Sequence, residues 1–315
     1  MNLAETHRVE TKIREGKVVQ KTGFWKRTGN ARFAFIYLFP SLLIFSVFLF
    51  YPMIRTLYLS FFLTDSQGEP SLFVAFENYL YLFQSTSFQK SIGSTLLFVL
   101  YTVPIGVLIA LSLALLANEK LRGIGLFRTI FSSTLGMSVA ASAVIWLFLF
   151  HPSVGMLNTI LQSIGLSPIP WLLDPTWALI SIALTTIWMN TGFSFLILLG
   201  GLQNIDSSLY ESARIDGASY FYKLRRITVP MLSPTLFFIF TITFINSFQS
   251  FGQVDILTGG GPAESTNLIV YSIYQEAFIN YQFGTASAQA VLLFLFVFVL
   301  TFIQFRFGEK KVHYQ

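Results

Sequence analysis

Six stretches of this chain are apolar over the thickness of a bilayer, at residues 33–54, 91–116, 129–150, 176–200, 234–257 and 284–305. None of them contains Lys, Arg or Glu, and Asp255 is their single Asp. A hydrocarbon core of about 30 Å is crossed by roughly 20 apolar helical residues. In lipid, every backbone N–H and C=O must be bonded within the protein, so the stretches read as helices. The composition agrees: 54% of residues are hydrophobic and 11% charged, against about 25% charged in a soluble domain. The expectation is an all-α integral membrane protein with six transmembrane helices.

Lys and Arg set the orientation. Eight lie before the first span: Arg8, Lys12, Arg14, Lys17, Lys21, Lys26, Arg27 and Arg32. Lys120, Arg122 and Arg128 follow the second span, Arg214, Lys223, Arg225 and Arg226 the fourth, and Arg306, Lys310 and Lys311 the sixth. Only Arg55 and Lys90 fall in the odd-numbered connections, a split of eighteen to two. Both termini are therefore expected in the cytoplasm. The chain divides into a basic tail (1–32), a transmembrane region (33–305) and a short C-terminal tail (306–315). The net charge of +5 is absorbed by this topology and does not form a nucleic-acid footprint. The basic region before the first span is long, and no small-residue cleavage site follows, so that span reads as retained.

The first and third connections carry mixed apolar and aromatic segments too short to span. Residues 73–83, interrupted by Glu77, read as an interfacial cap helix, and residues 153–173 are similar, with Trp171 and Trp177 at belt level. The chain has no cysteine, and its histidines, His7, His151 and His313, lie far apart in the sequence. No metal site or catalytic constellation is visible. Gly259-Gly260-Gly261-Pro262 lacks the Lys of a nucleotide-binding loop and reads as a turn.

Between the fourth and fifth spans, residues 201–232 form a charged island. Asp206 can cap a helix over 210–215, Gly217 permits a left-handed turn, and residues 220–227 suit a second short helix ending before Pro230. Such a knob is either a docking surface or an ordinary solvated loop. Glu211, Ala213, Gly217, Ile227 and Pro230 match, at the right spacing, the cytoplasmic loop signature of binding-protein-dependent ABC importer permeases; Ser212 replaces Ala and Val229 replaces Leu. Residues 145–152, 257–262 and 310–314 add to this resemblance, which extends over about residues 33–315 and is nearest to the sugar-uptake permeases.

The resemblance implies a type I ABC importer permease fold, a five-helix core preceded by one peripheral helix. It implies that Glu211, Ser212, Ala213, Arg214, Asp216 and Gly217 couple the chain to an ATPase. The implied partners are a second permease, two cytosolic ATP-binding subunits that hold ATP and Mg, and an extracytoplasmic solute-binding protein. The chain itself would be non-catalytic, would carry no cofactor, and would lie in a prokaryotic cytoplasmic membrane.

Polar residues inside a span are costly unless they face a cavity or a partner. Asn246, Gln249, Ser250 and Gln253 follow helical offsets and are expected on one face of the fifth span. In the fourth span Thr186, Asn190 and Phe193 share a face, with Trp188 close by. Amides, a hydroxyl and an aromatic suit a sugar, whose hydroxyls both donate and accept. The permeases this chain resembles place substrate contacts at positions matching Asn190, Phe193 and Ser250. Interhelical hydrogen bonding uses the same residue types.

Three classes compete: an importer permease, an ion-coupled secondary carrier and a membrane receptor or scaffold. A coupled carrier commonly needs an intramembrane carboxylate or His, and only Asp255 comes near. Glycerol-phosphate permeases belong to the same family, but a phosphate wants Arg or Lys near its site. The spans contain neither, so the residues favour a sugar or oligosaccharide.

Overall fold

The computed structural model describes residues 24–119 and 121–308. The tail before Phe24, Lys120 and the basic end Lys310–Tyr314 lie outside the described residues. The described chain forms two compact units, residues up to Arg55 and residues from Thr56 onward.

The first unit holds α1 (Phe24–Phe45), a π-helical turn (Ser46–Phe50) and the start of α2 (Tyr51–Leu59), which ends in the second. The helix therefore begins upstream of Phe33, where polarity alone ended the expected span. In the second unit, β1 (Phe62–Thr64) pairs antiparallel with β2 (Pro70–Phe73), a small hairpin not expected from the sequence. Asp65 accepts from the Gln67 and Glu69 N–H groups and closes its turn. The expected interfacial helix follows as α3 (Glu77–Gln84). Buried Asn78 donates to the Ser60 and Phe62 carbonyls and ties α3 to the hairpin.

Then come α4 (Thr86–Asn118), α5 (Ile124–Ser132), α6 (Val139–Leu149), α7 (Met156–Ser163) and α8 (Pro175–Gln203). The island holds α9 (Ser207–Ile215), α10 (Tyr220–Lys223) and α11 (Val229–Met231). The chain closes with α12 (Ser233–Phe248), α13 (Gly252–Leu257), α14 (Ile269–Tyr274) and α15 (Phe283–Gly308).

Among the described residues, four single helices are long and apolar enough to cross a membrane: Phe35–Leu59, Thr86–Asn118, Pro175–Gln203 and Phe283–Arg306. Two bent pairs complete six if each is one span. Ile124–Gly136 meets Val139–Leu149 at 110°, and Tyr220–Met231 meets Ser233–Phe248 at 69°. At the first bend Met137 and Ser138 are extended, and the Ser138 hydroxyl accepts from the Ala141 N–H to start α6 afresh. The expected third span, residues 129–150, is thus broken by a sharp bend.

The helix core is built on α4 and α8. Ala110, Ala114 and Ala117 of α4 are buried against Phe195, Leu198, Leu199 and Leu202 of α8, with Leu232 and Ile239 completing the cluster. Small side chains let helices approach closely where lipid supplies no hydrophobic drive. A second cluster joins Phe98, Ala143, Ile182, Val254, Leu257 and Tyr271. Gly192 marks a close approach of α8 to the first bend: its N–H donates to Thr134 Oγ1 at 3.0 Å, and an added Cβ would stand 2.9 Å from the Leu135 nitrogen. Only a hydrogen fits there.

Candidate functional site

The charged island folds into a compact knob. Asp206 accepts from the Ser208 N–H at 2.9 Å and caps α9. That hydrogen bond holds its carboxyl below the usual carboxylate range, as expected when the charged form is favoured. α9 ends in a Schellman motif: the Ala218 N–H reaches the Ala213 carbonyl at 2.9 Å and the Gly217 N–H the Arg214 carbonyl at 3.1 Å. Gly217 supplies the required left-handed residue at φ +71°. Nothing lies within 4 Å of where a Cβ would stand, so backbone conformation alone selects glycine here.

Ser219 then caps α10 by accepting from the Tyr222 N–H at 3.3 Å. The second helix does not stop before Pro230; a π-helical segment, Leu224–Thr228, carries it into α11, where Pro230 sits in the first turn. Proline has no N–H to offer the helical ladder, and it sits where the π-helical segment gives way to α11.

Glu211, Ser212, Arg214 and Asp216 are exposed and Ala213 is buried. Between and beside them stand apolar side chains that nothing among the described residues covers: Ile215 is 86% exposed and Phe221 78%. The sequence reading missed these two, although both are large hydrophobes inside a charged segment. A polar surface with a bare apolar centre has the composition of a docking site.

The polar stripe of the fifth span is not continuous. α12 ends at Phe248; Gln249 is its C-cap, Ser250 and Phe251 form a break, and Gln253 belongs to α13. Asn246 and Gln249 are exposed, whereas Ser250 and Gln253 are buried. The expectation of one helical face is therefore corrected: the unwinding sends the stripe two ways. The Ser250 hydroxyl donates to Gln253 Oε1 at 3.4 Å, and Gln253 Nε2 approaches Met189 Sδ at 3.7 Å. This brings the break to α8, beside Trp188 and Asn190.

Asn190 lines a crevice between α4, α8 and α12, with Thr186, Thr102, Ser194, Thr243 and Ser247. Thr102 Oγ1 and Ser247 Oγ lie 3.0 Å apart across it. Thr186 Oγ1 is buried there and has no hydrogen-bond partner among the described residues. The void measures about 10 Å³, the scale of one water. Thr102, Ser194, Thr243 and Ser247 were missed because single small hydroxyls barely interrupt an apolar run. Phe193 does not join the crevice; it is 38% exposed on α8. Trp188 packs edge-on to Trp146, which leads through Phe150 to Trp171 and Trp177.

At the far end of the spans, His151 and Pro152 meet Leu257, Thr258, Gly261 and Pro262 around a depression of about 530 Å³. Two of the signature stretches, distant in sequence, are thereby brought together. The glycine-rich turn is confirmed, with Gly259 and Gly260 at positive φ. Its loop is held by Thr258 and Thr266, whose hydroxyls lie 2.8 Å apart, and by Glu264, which accepts from Ser87 at 2.6 Å and pairs with Lys90 at 3.1 Å. Among the described residues no group of three or more His, Asp or Glu is placed to hold a metal ion.

Residues 102–313 match the family model described as binding-protein-dependent transport system inner membrane component. The chain is 36% identical over 276 residues to the sn-glycerol-3-phosphate transport system permease protein UgpA of Agrobacterium fabrum, covering 87% of this chain and 94% of that protein. It is 34% identical to the protein of the same name from Yersinia pestis, covering 89% and 95%. Among solved structures it is similar to a chain of a bacterial alginate ABC transporter in complex with alginate pentasaccharide-bound periplasmic protein, with a TM-score of 0.80 and 24% identity over 92% of this chain and 99% of that one. A second crystal structure, of a bacterial ABC transporter involved in import of the acidic polysaccharide alginate, gives a TM-score of 0.77 at 25% identity, over 91% and 98%.

Proposed function

This chain belongs to the family of binding-protein-dependent transport system inner membrane components, and from that premise we propose that it forms, with a second permease, the translocation path for a sugar or oligosaccharide. It is an integral membrane permease of the type I ABC importer fold. In the proposal both termini and the knob face the cytoplasm of a prokaryotic cell. An extracytoplasmic binding protein delivers the substrate, and two cytosolic subunits bind ATP and Mg and hydrolyse the nucleotide.

The observation that carries the reading is the split stripe. Asn246, in the last turn of α12, and Gln249, its C-cap, stay uncovered among the described residues just before the chain unwinds. An uncovered amide in a span must meet a partner or a wet path. Phe193 supplies a bare aromatic face on α8. Amides that donate and accept, beside a ring, are the chemistry that binds a polyol. Trp188, anchored against Trp146, would position the wall and not move with substrate.

The second reading is a glycerol phosphate, favoured by what the curated relatives are named for. Against it, neither the crevice nor the break presents a cation, and a phosphate is held best by charge-assisted bonds. The discriminating experiment is uptake into vesicles carrying the whole importer, driven by ATP, with the cognate binding protein loaded with labelled maltooligosaccharide, monosaccharide or sn-glycerol-3-phosphate. Uptake of glycerol phosphate alone would overturn the sugar assignment.

A further inference from the structure

The knob does not lie flush on the helix ends. Beneath it, between the end of α4, the end of α8 and α9–α10, is a cavity of about 570 Å³. Its floor includes Leu202 and Ile205, both buried apolar side chains of the core. Its walls include Tyr210, Arg214, Lys223 and Glu119. Neither the Arg214 guanidinium nor the Lys223 ammonium has an ion-pair partner among the described residues. Two cations against one carboxylate leave the lining with one positive charge in excess.

We propose that this cavity holds the headgroup of an anionic phospholipid. Three features converge on that ligand. An apolar floor beneath a charged wall fits a molecule that is itself apolar at one end and charged at the other. Basic pockets between membrane helices on the cytoplasmic side are lipid headgroup sites, where each Lys or Arg contributes about a fivefold factor in occupancy. The single excess charge matches a phosphodiester carrying one net negative charge, such as phosphatidylglycerol; a zwitterionic lipid would leave the excess uncompensated. Arg214 therefore acts inward, on the cavity, whereas Glu211 on the same helix does not line it. A lipid seated there would brace the knob against the helix ends, making the coupling element sensitive to inner-leaflet composition.

The proposal uses the cytoplasmic placement of the knob and is independent of the transported substrate. Its test measures bound lipid, so it is separable from any failure of the sugar reading. The complete importer is placed in nanodiscs of equal parts phosphatidylglycerol, phosphatidylethanolamine and phosphatidylcholine, stripped of bulk lipid in detergent, and weighed by native mass spectrometry. Phosphatidylglycerol should be retained preferentially. R214Q and K223Q should each lower that retention about fivefold. E119Q, at an exposed position, should raise it by a similar factor. Equal retention of the three lipids, preference for phosphatidylethanolamine, or retention unchanged in E119Q would overturn the proposal. Displacement of the lipid by inorganic phosphate in the buffer would assign the cavity to a soluble anion instead, and would overturn it equally.

Discussion

The Tyr210 hydroxyl lies 3.0 Å from Thr228 Oγ1, joining α9 to the end of the second helix of the knob across the Gly217 turn. Thr228 also reaches the Lys223 carbonyl at 3.3 Å. The knob is thus closed on itself at its base, on the side facing the helix core, while its outer side is left bare. A force applied at the outer side reaches α12 through this closure, because Thr228 leads directly into α11 and α12.

Tyr210→Phe removes the hydroxyl and keeps the ring in the core. A neutral hydrogen bond contributes about 0.5–1.5 kcal/mol, so the knob should open more readily. The measurable outcome is faster amide exchange across 207–228 in the assembled importer, with ATP hydrolysis less tightly coupled to uptake. Exchange and coupling equal to wild type would mean that packing alone closes the knob.

Gly217 stands at φ +71°, with open space where a Cβ would project. Gly217→Val should cost about 1 kcal/mol or more in backbone strain and loosen the end of α9. We expect weaker ATPase retention on purified membrane subunits, or uncoupled hydrolysis, with normal membrane insertion. Glu211→Lys should act likewise by charge reversal alone, without changing the fold. Wild-type retention and uptake in both variants would reduce the knob to a solvated loop.

Asn246→Leu and Gln249→Leu should leave assembly intact and impair transport. Each loses a neutral bond of about 0.5–1.5 kcal/mol, a loss near tenfold in uptake at most. Because these side chains are uncovered by their own chain, monomer stability should not change. Normal transport combined with lost association of the two permeases would make the pair an interface contact.

Membrane sidedness is read directly by labelling. A cysteine at Ser207 should react only from the cytoplasm, and cysteines at Gln67 and Leu166 only from outside. Reaction of Ser207→Cys from outside would invert the topology and remove the knob from any ATPase.

The Ser87 and Lys90 bonds hold the Glu264 carboxyl below its ordinary value of 4.5. A depressed carboxylate contributes stability in full above the unfolded value and loses it as pH falls through the lower, native one. The clasp should therefore be intact at neutral pH and fail only on strong acidification. The pair is half exposed and adds little to global stability, so the readout is local: proteolysis of the 258–268 loop. Glu264→Gln should give the acid pattern at neutral pH. An unchanged cleavage rate at both pH values would show that Thr258 and Thr266 suffice.

Several features were legible before any coordinates. A continuous apolar run of bilayer length has one backbone solution, so the spans near α4, α8 and α15 followed from composition and length. The cap at Asp206 and the turn at Gly217 were legible because they are local: one carboxylate beside free N–H groups, one residue without a Cβ. The bends were not. Residues 129–150 and 234–257 are apolar throughout, and hydropathy is the same for a straight helix and a broken one. What bends the chain after Gly136 is an extended Met137–Ser138 pair and the seat that Gly192 offers to Thr134, a contact between residues 58 positions apart.

The sequence by itself determined that this chain lives in a membrane and where its charged knob lies, because lipid tolerates long apolar runs and excludes a charged segment. Only the tertiary structure decided which polar groups meet. Asn246, Gln249, Ser250 and Gln253 share a face on a continuous helix, yet unwinding after Phe248 leaves two of them bare and buries two against α8. Helix periodicity holds only while the helix does. Where the chain breaks, the direction of each side chain is set by packing against segments that are remote in sequence.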